Sequence, residues 1–272
     1  MAHNSTYLIN GSFNLVISPL DRGFAYGDGV FRTLIVRDGQ PENWPLHYQK
    51  LVADCAAINI VCPSAEILMS DLLQLFSLTE TAVAKIIITR GEGERGYALP
   101  AITAPMRVLL KSALRSYPES HFTDGVNLHV CSTQLAAQPL LAGVKHLNRL
   151  ENVLARMEWT DPNIADGVML DMENNVIECT AANIFARFND TLITPSLVQC
   201  GIAGITRQRI IDNAHLWLLK AKVSKLSLEQ LFSADEVIIT NSLFGVWQVK
   251  NIMLRNWEPN TLAKNIRKTL KV

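Results

Sequence analysis

Lys145 stands in Ala142-Gly143-Val144-Lys145-His146-Leu147-Asn148-Arg149-Leu150-Glu151, between an apolar lead and a segment that can start a helix at Asn148. A lysine at such a seam has two readings. The ordinary one is a solvated surface charge. The other is an amine partly desolvated by apolar neighbours, whose lowered pKa makes it a nucleophile or base. Further on, Val176-Ile177-Glu178-Cys179-Thr180-Ala181-Ala182-Asn183-Ile184-Phe185 ends an apolar run in a carboxylate and sets an asparagine at the head of the next. A carboxylate so placed suits a cationic ring nitrogen. Gly201-Ile202-Ala203-Gly204-Ile205-Thr206-Arg207 is a glycine loop entering a helix. The amides of Ile205 and Thr206 there either begin an ordinary helix or receive a phosphate at its N-terminus. Ile238-Ile239-Thr240-Asn241-Ser242-Leu243-Phe244-Gly245 closes an apolar strand with Asn241 and Ser242, which read as a turn or as a further phosphate and substrate contact.

Gly91-Glu92-Gly93-Glu94-Arg95-Gly96 has the G-x-G-x-x-G spacing of a dinucleotide fingerprint and follows a predicted strand. That fingerprint needs a helix next, whereas Tyr97-Ala98-Leu99-Pro100 runs on to Pro105, and prolines so placed prevent one. Nicotinamide and flavin binding are excluded on this ground. The segment is either a plain surface turn or a loop that presents Arg95 and Tyr97 to a cleft, with Arg95 as a carboxylate clamp. No G-x-S-x-G elbow or H-E-x-x-H pair occurs, and the six histidines show no ligand spacing, so the expected chemistry is metal-free.

The elements that must position these residues follow from periodicity. Thr6 to Ile9, Asn14 to Ile17 and Val30 to Val36 read as strands, the last closed by the turn pair Asp38-Gly39. Apolar positions recur at helical spacing over Pro45 to Ile58 and again over Ile67 to Phe76. Lys85 to Thr89 and Arg107 to Leu110 read as buried strands. The polar, turn-rich stretch 116–125 reads as a linker between an N-terminal domain, 1–115, and a C-terminal domain, 126–272. In the second domain, Val126 to Ser132, Gly167 to Leu170, Ile184 to Phe188 and Val237 to Thr240 are expected strands. Asn148 to Trp159, Ile205 to Leu219 and Thr261 to Leu270 are expected helices.

Composition bounds the partners. The chain has 272 residues, 49% of them hydrophobic, with 25 basic and 25 acidic residues. That suffices for well-developed cores and leaves no basic footprint for nucleic acid, so the expected partner is a small molecule. Cys55, Cys62, Cys131, Cys179 and Cys200 include no C-x-x-C pair, which argues for reduced thiols in a cytoplasmic protein. No run of 18 apolar residues suggests a membrane span.

Taken in order, the segments resemble the fold-type IV pyridoxal-phosphate enzymes, a family of branched-chain and D-amino-acid aminotransferases and aminodeoxychorismate lyases. Ser18-Pro19-Leu20-Asp21-Arg22-Gly23-Phe24-Ala25-Tyr26-Gly27-Asp28-Gly29-Val30-Phe31 is similar to the family's early signature, and the likeness covers nearly the whole chain. It implies an α+β fold of two domains with pyridoxal 5'-phosphate in the interdomain cleft, and a homodimer. It also implies Lys145 as the Schiff-base lysine and general base and acid, Glu178 as partner of the pyridine nitrogen, and the amides of Ile205 and Thr206 as phosphate donors. Asn183, Asn241 and Ser242 are expected beside them. In Leu46-His47-Tyr48-Gln49-Lys50-Leu51 the family usually has arginine where this chain has Lys50, which keeps a phosphate-binding charge but loses the bidentate fork. Lys145-His146-Leu147-Asn148-Arg149-Leu150-Glu151 and Arg95-Gly96-Tyr97 are closer to the lyases than to the aminotransferases, although Trp247-Gln248-Val249 departs from the usual proline-valine ending. A lyase would release 4-aminobenzoate and pyruvate, with Arg95, Tyr97, Asn148, Arg149 and Thr33 as expected substrate contacts. The alternatives are an aminotransferase using the same Lys145 and Glu178, and a non-catalytic protein that keeps the fold.

Overall fold

Val30, Leu34 and Val36 are fully buried on one face of a single strand, and the first part of the fold grows around it. The structure of the chain is a computed structural model and describes residues 5–272. It divides into two compact units, Met1–Arg115 with Val144–Asn148, and Ser116–Gly143 with Arg149–Val272.

The first unit holds β1 (Tyr7–Ile9), α1 (Arg22–Tyr26), β2 (Gly29–Arg37), β3 (Gln40–Pro41), α2 (Trp44–Ala57), α3 (Ala65–Leu75), β4 (Ala82–Thr89) and β5 (Met106–Ala113). Its five strands form one sheet in the order β1-β5-β4-β2-β3, antiparallel throughout. Asp38 and Gly39 take φ of 48° and 70° to turn β2 into β3, as an Asp-Gly pair between two strands predicts. Leu51 and Cys55 of α2 and Leu68, Leu72 and Leu75 of α3 cover one sheet face in a single apolar core.

Val144 is buried in that same core, which draws the segment carrying Lys145 onto the edge of β2. Phe31 N–H donates to Lys145 O at 2.9 Å and Leu147 N–H to Gly29 O at 3.0 Å. Val144–Asn148 was expected in the C-terminal domain; its backbone bonds place it in the first unit.

The second unit holds α4 (Ser120–Thr123), β6 (Val126–Val130), α5 (Leu150–Arg156), β7 (Ile164–Leu170), β8 (Val176–Cys179), β9 (Asn183–Phe188), β10 (Thr191–Pro195) and α6 (Ile205–Asn213). It continues with β11 (Lys220–Ser224), α7 (Leu228–Ser233), β12 (Glu236–Asn241), β13 (Gly245–Ile252), β14 (Arg255–Asn256) and α8 (Leu262–Leu270). The strands run β11-β10-β9-β12-β13-β6-β7-β8, with β14 on β13. β6 is parallel to β7 and β13, and β10 is parallel to β11. Val168, Ile184, Val237, Ile239 and Val249 form one core. On the other side, Ile210 of α6 and Leu262, Ile266 and Leu270 of α8 pack on Phe185, Ile238 and Val246.

Several expected elements differ for physical reasons. Residues 14–17 make no strand and leave Leu15, Val16 and Ile17 exposed, because the chain departs from β1 after the tight turn at Asn10 and Gly11. The helix entered at Ile205 stops at Asn213, where the Ala214 amide turns back to Ile211 O, three residues earlier, and so tightens the chain out of the α-helix; a 3₁₀ turn, Ala214–Trp217, follows. Residues 116–125, expected as a linker, pack into the second unit, with Tyr117 and His121 each 4.8 Å edge-on from the Trp247 ring.

Candidate active site

In the first unit Lys145 is half-buried, and its Nζ lies over the Phe31 ring, 4.7 Å from the centroid. The bonds that tie its backbone to β2 hold it there. Two residues along, Thr33 shares the Phe31 face, because side chains alternate along a strand. Its register partner on β4 is Lys85. Asn148 Nδ2 donates to Gly27 O at 3.2 Å. Gly27 has φ +68°, and a Cβ there would meet Asn148 Oδ1 at 2.4 Å, so the glycine turn after α1 and the segment after Lys145 are built to touch. Arg149, half-buried, caps α5 without a side-chain bond to it.

The glycine loop that follows β4 is anchored from below. Arg22, 4% exposed, donates to Gly96 O at 3.0 Å and Ala98 O at 3.3 Å, and Gly96 N–H donates to Tyr26 Oη at 3.1 Å. Arg95 and Tyr97 thus sit exposed on a tethered loop, with Tyr97 edge-on to Tyr26 at 5.5 Å. Asp28 joins Arg22 to Arg90. Burial pushes the Asp28 carboxyl up, but bonds from Arg90 and Arg22 outweigh it and hold it below the usual range. Arg90 and this anchoring role were not legible in sequence, because a buried arginine inside an apolar strand end looks like a surface charge.

Lys50 lies on α2 and bonds to Asp54 one turn on, while Arg32 takes the other oxygen of that carboxylate at 3.2 Å. Asp54 is fully buried. Burial pulls the Lys50 ammonium down and Asp54 opposes it. The lysine expected at the phosphate is therefore already part of an ion cluster.

In the second unit Glu178, the third residue of β8, is 2% exposed and accepts from Ile202 N–H at 2.8 Å. Asn183 opens β9; its Nδ2 donates to Ile202 O at 2.7 Å, and its Oδ1 accepts from Gly204 N–H at 3.1 Å. The two side chains brace the loop before α6. That loop admits only glycine at its corners: Gly201 has φ +88°, and a Cβ on Gly204 would lie 2.3 Å from Asn183 Oδ1. No side chain caps α6 at Gly204, which leaves the first-turn amides of Ile205 and Thr206 aimed out of the helix as anion donors. Arg207 turns inward to Thr194 Oγ1 at 3.1 Å and Pro195 O at 2.9 Å, pinning the helix start.

Asn241 caps the turn after β12, accepting from the Leu243 and Phe244 amides at 2.9 and 3.0 Å and donating to Ala181 O at 3.1 Å; Ser242 lies within that turn. Asp166, 3% exposed on β7, accepts from Thr180 Oγ1 and from the Gly167 and Ala181 amides. Burial raises its pKa against those bonds. Asp166 thus shapes the turn between Glu178 and Asn183, and only its place inside an apolar run hinted at it.

Each unit therefore gathers its own set: Lys145, Phe31, Thr33, Lys85 and Asn148 in one, and Glu178, Asn183, Ile205, Thr206, Asn241 and Ser242 in the other. Each set fits a part of pyridoxal phosphate: in the first unit the amine of Lys145 suits its aldehyde, and in the second the buried carboxylate of Glu178 suits its ring nitrogen, while the glycine loop that a Cβ would block, leading into an uncapped helix start, suits its phosphate.

Residues 29–252 match the model of the amino-transferase class IV family. The chain is 35% identical over 246 residues to an aminodeoxychorismate lyase of Vibrio harveyi, covering 90% of this chain and 91% of that one. It is 28% identical to a D-alanine aminotransferase of Listeria monocytogenes, over 85% of this chain and 81% of that one. Among solved structures, 4-amino-4-deoxychorismate lyase from Pseudomonas aeruginosa superposes with a TM-score of 0.92 at 40% identity, covering 97% and 98% of the two chains. By the family match and by these likenesses, the chain belongs to the amino-transferase class IV family.

Proposed function

We propose that the protein is a pyridoxal-phosphate-dependent lyase that converts 4-amino-4-deoxychorismate to 4-aminobenzoate and pyruvate. The observation that carries this reading is the full-length likeness, at 35% and 40% identity, to two chains named for that lyase. The half-buried amine of Lys145 beside Phe31 agrees with it. Pyridoxal phosphate, when bound, supplies an electron sink for a carbanion formed next to the amine nitrogen it holds.

The chain's residues do the rest. Lys145 would hold the aldehyde of the cofactor, and its amine, when free, would take the ring proton as the ring carbon–oxygen bond to the enolpyruvyl group breaks, and would return a proton to the enolpyruvate carbon to give pyruvate. Glu178, buried and fixed by the Ile202 amide, keeps a negative charge for the pyridine nitrogen. The amides of Ile205 and Thr206 receive the phosphate, with Asn183, Asn241 and Ser242 shaping its surroundings and Lys50 adding charge. Thr33, Arg95, Tyr97, Asn148 and Arg149 orient the substrate.

The test supplies purified, cofactor-loaded protein with aminodeoxychorismate and follows 4-aminobenzoate fluorescence and pyruvate together. Equal amounts of both establish the lyase. The 28% likeness to a D-alanine aminotransferase motivates a parallel assay with D-alanine and 2-oxoglutarate; glutamate without 4-aminobenzoate would replace the lyase with an aminotransferase.

The reading extends to assembly and place. A homodimer is supported by large apolar side chains left in solvent on the first unit, among them Val16, Phe24 and Ile102. A cytoplasmic setting is supported by the five free cysteines. No described helix is long and apolar enough to cross a membrane.

A further inference from the structure

Among the described residues, Lys85 is a cation with no carboxylate partner. It sits mid-strand on β4, between Ala84 and Ile86 of the core, and its register partners are Thr33 on one side and Leu110 on the other. Burial pulls its ammonium pKa down, and no carboxylate of the described residues opposes that pull. Its Nζ rests over the Phe31 ring, 4.6 Å from the centroid, and Lys145 Nζ lies 4.7 Å from the same centroid. Elsewhere in the first unit, Arg22, Arg32, Lys50, Arg90, Arg107 and Lys111 each face a carboxylate. A half-buried ammonium over a ring face, with no carboxylate beside it among the described residues, gains more from an incoming anion than one already paired. Methionine or leucine would fill the same strand position with no charge to desolvate.

We propose that Lys85 binds a carboxylate of the substrate and so selects an anionic ring substrate over a neutral amino acid side chain. The inference rests on the lyase reading for the identity of the substrate, which carries two carboxylates. Lys85 and Lys145 flank one aromatic ring, so a substrate whose amine engages Lys145's position brings its acidic groups toward the neighbouring ammonium. Thr33, opposite Lys85 in register, lines the same face. Lys85 is a binding group here; it takes no part in proton transfer.

The experiment compares cofactor-loaded wild type with Lys85→Met, which keeps the length of the side chain and removes its charge. The expected result is a KM for aminodeoxychorismate raised about tenfold or more with kcat within about threefold. Calorimetric binding of 4-hydroxybenzoate, an anionic ring without the reactive amine, or of pyruvate should weaken by a similar factor, and Lys85→Arg should restore both. A folded Lys85→Met protein with unchanged KM and unchanged affinity for both anions overturns the proposal. Should Lys85→Met not fold, Lys85→Gln is read by the same measurements. If neither protein acts on aminodeoxychorismate while the variant alone loses anion binding, Lys85 stands as the anion site and the lyase reading falls by itself.

Discussion

Lys145 and Asp54 show how differently two charged groups are used in one unit. Lys145 keeps its amine on the open face of β2, and Lys145→Ala should abolish both turnover and covalent retention of the cofactor, the latter read by mass spectrometry after borohydride reduction. Glu178→Gln keeps the bond from Ile202 but loses the charge, so proton removal should slow by about 10- to 100-fold while the cofactor stays bound. Asp54 is structural: it is buried with Arg32 on one oxygen and Lys50 on the other. Asp54→Asn leaves Arg32 as an underpaired buried charge, and urea unfolding should show a loss of about 3–5 kcal/mol.

At the scale of elements, the glycine loop before α6 and the strap after β6 carry the predictions. Gly204→Ala must move Asn183 or the loop, since the added Cβ would lie 2.3 Å from Asn183 Oδ1. The expected outcome is a folded protein that retains cofactor about tenfold less well on dialysis, because the amides of Ile205 and Thr206 are re-aimed. Glu158, just beyond α5, holds the strap by accepting from the Ser132 and Thr133 amides at 2.7 and 2.8 Å. Burial pushes its carboxyl up, but the Thr133 hydroxyl and these amides bring it down to about 2 from an ordinary 4.5. A depressed carboxylate pKa stabilises the fold above the unfolded value and loses that contribution as pH falls toward the folded one. Glu158→Gln should therefore be less stable than wild type at neutral pH, and thermal unfolding should show the gap closing between pH 4.5 and about 2.

At the scale of the whole molecule, Phe24 and Ile102 are 75% and 88% exposed, and the Arg22 bonds to Gly96 and Ala98 tie their two segments together. If these side chains serve the proposed homodimer, Phe24→Glu with Ile102→Glu should convert a dimer to a monomer in sedimentation without loss of fold; a wild-type monomer would refute the assembly. What the sequence determined alone is local. Short apolar β-type runs marked β2, β4 and β5, helical spacing marked α2 and α3, and the glycines and prolines after β4 excluded a dinucleotide helix, because these signals are carried by neighbours a few residues apart. The ordered segments around Lys145, Glu178 and Gly204 were likewise readable as motifs. The tertiary structure decided which unit claims Val144–Asn148, that Arg22, Asp28 and Arg90 form an anchor, that Asp166 shapes the turn after β8, and that Lys85 faces Phe31 with no carboxylate partner among the described residues. β11 escaped notice because its edge position leaves it half in solvent and its residues too polar to signal a strand. Each of these depends on which distant strands pair and in what register. A charged residue's environment is set by that pairing, so its own type and immediate neighbours do not contain it.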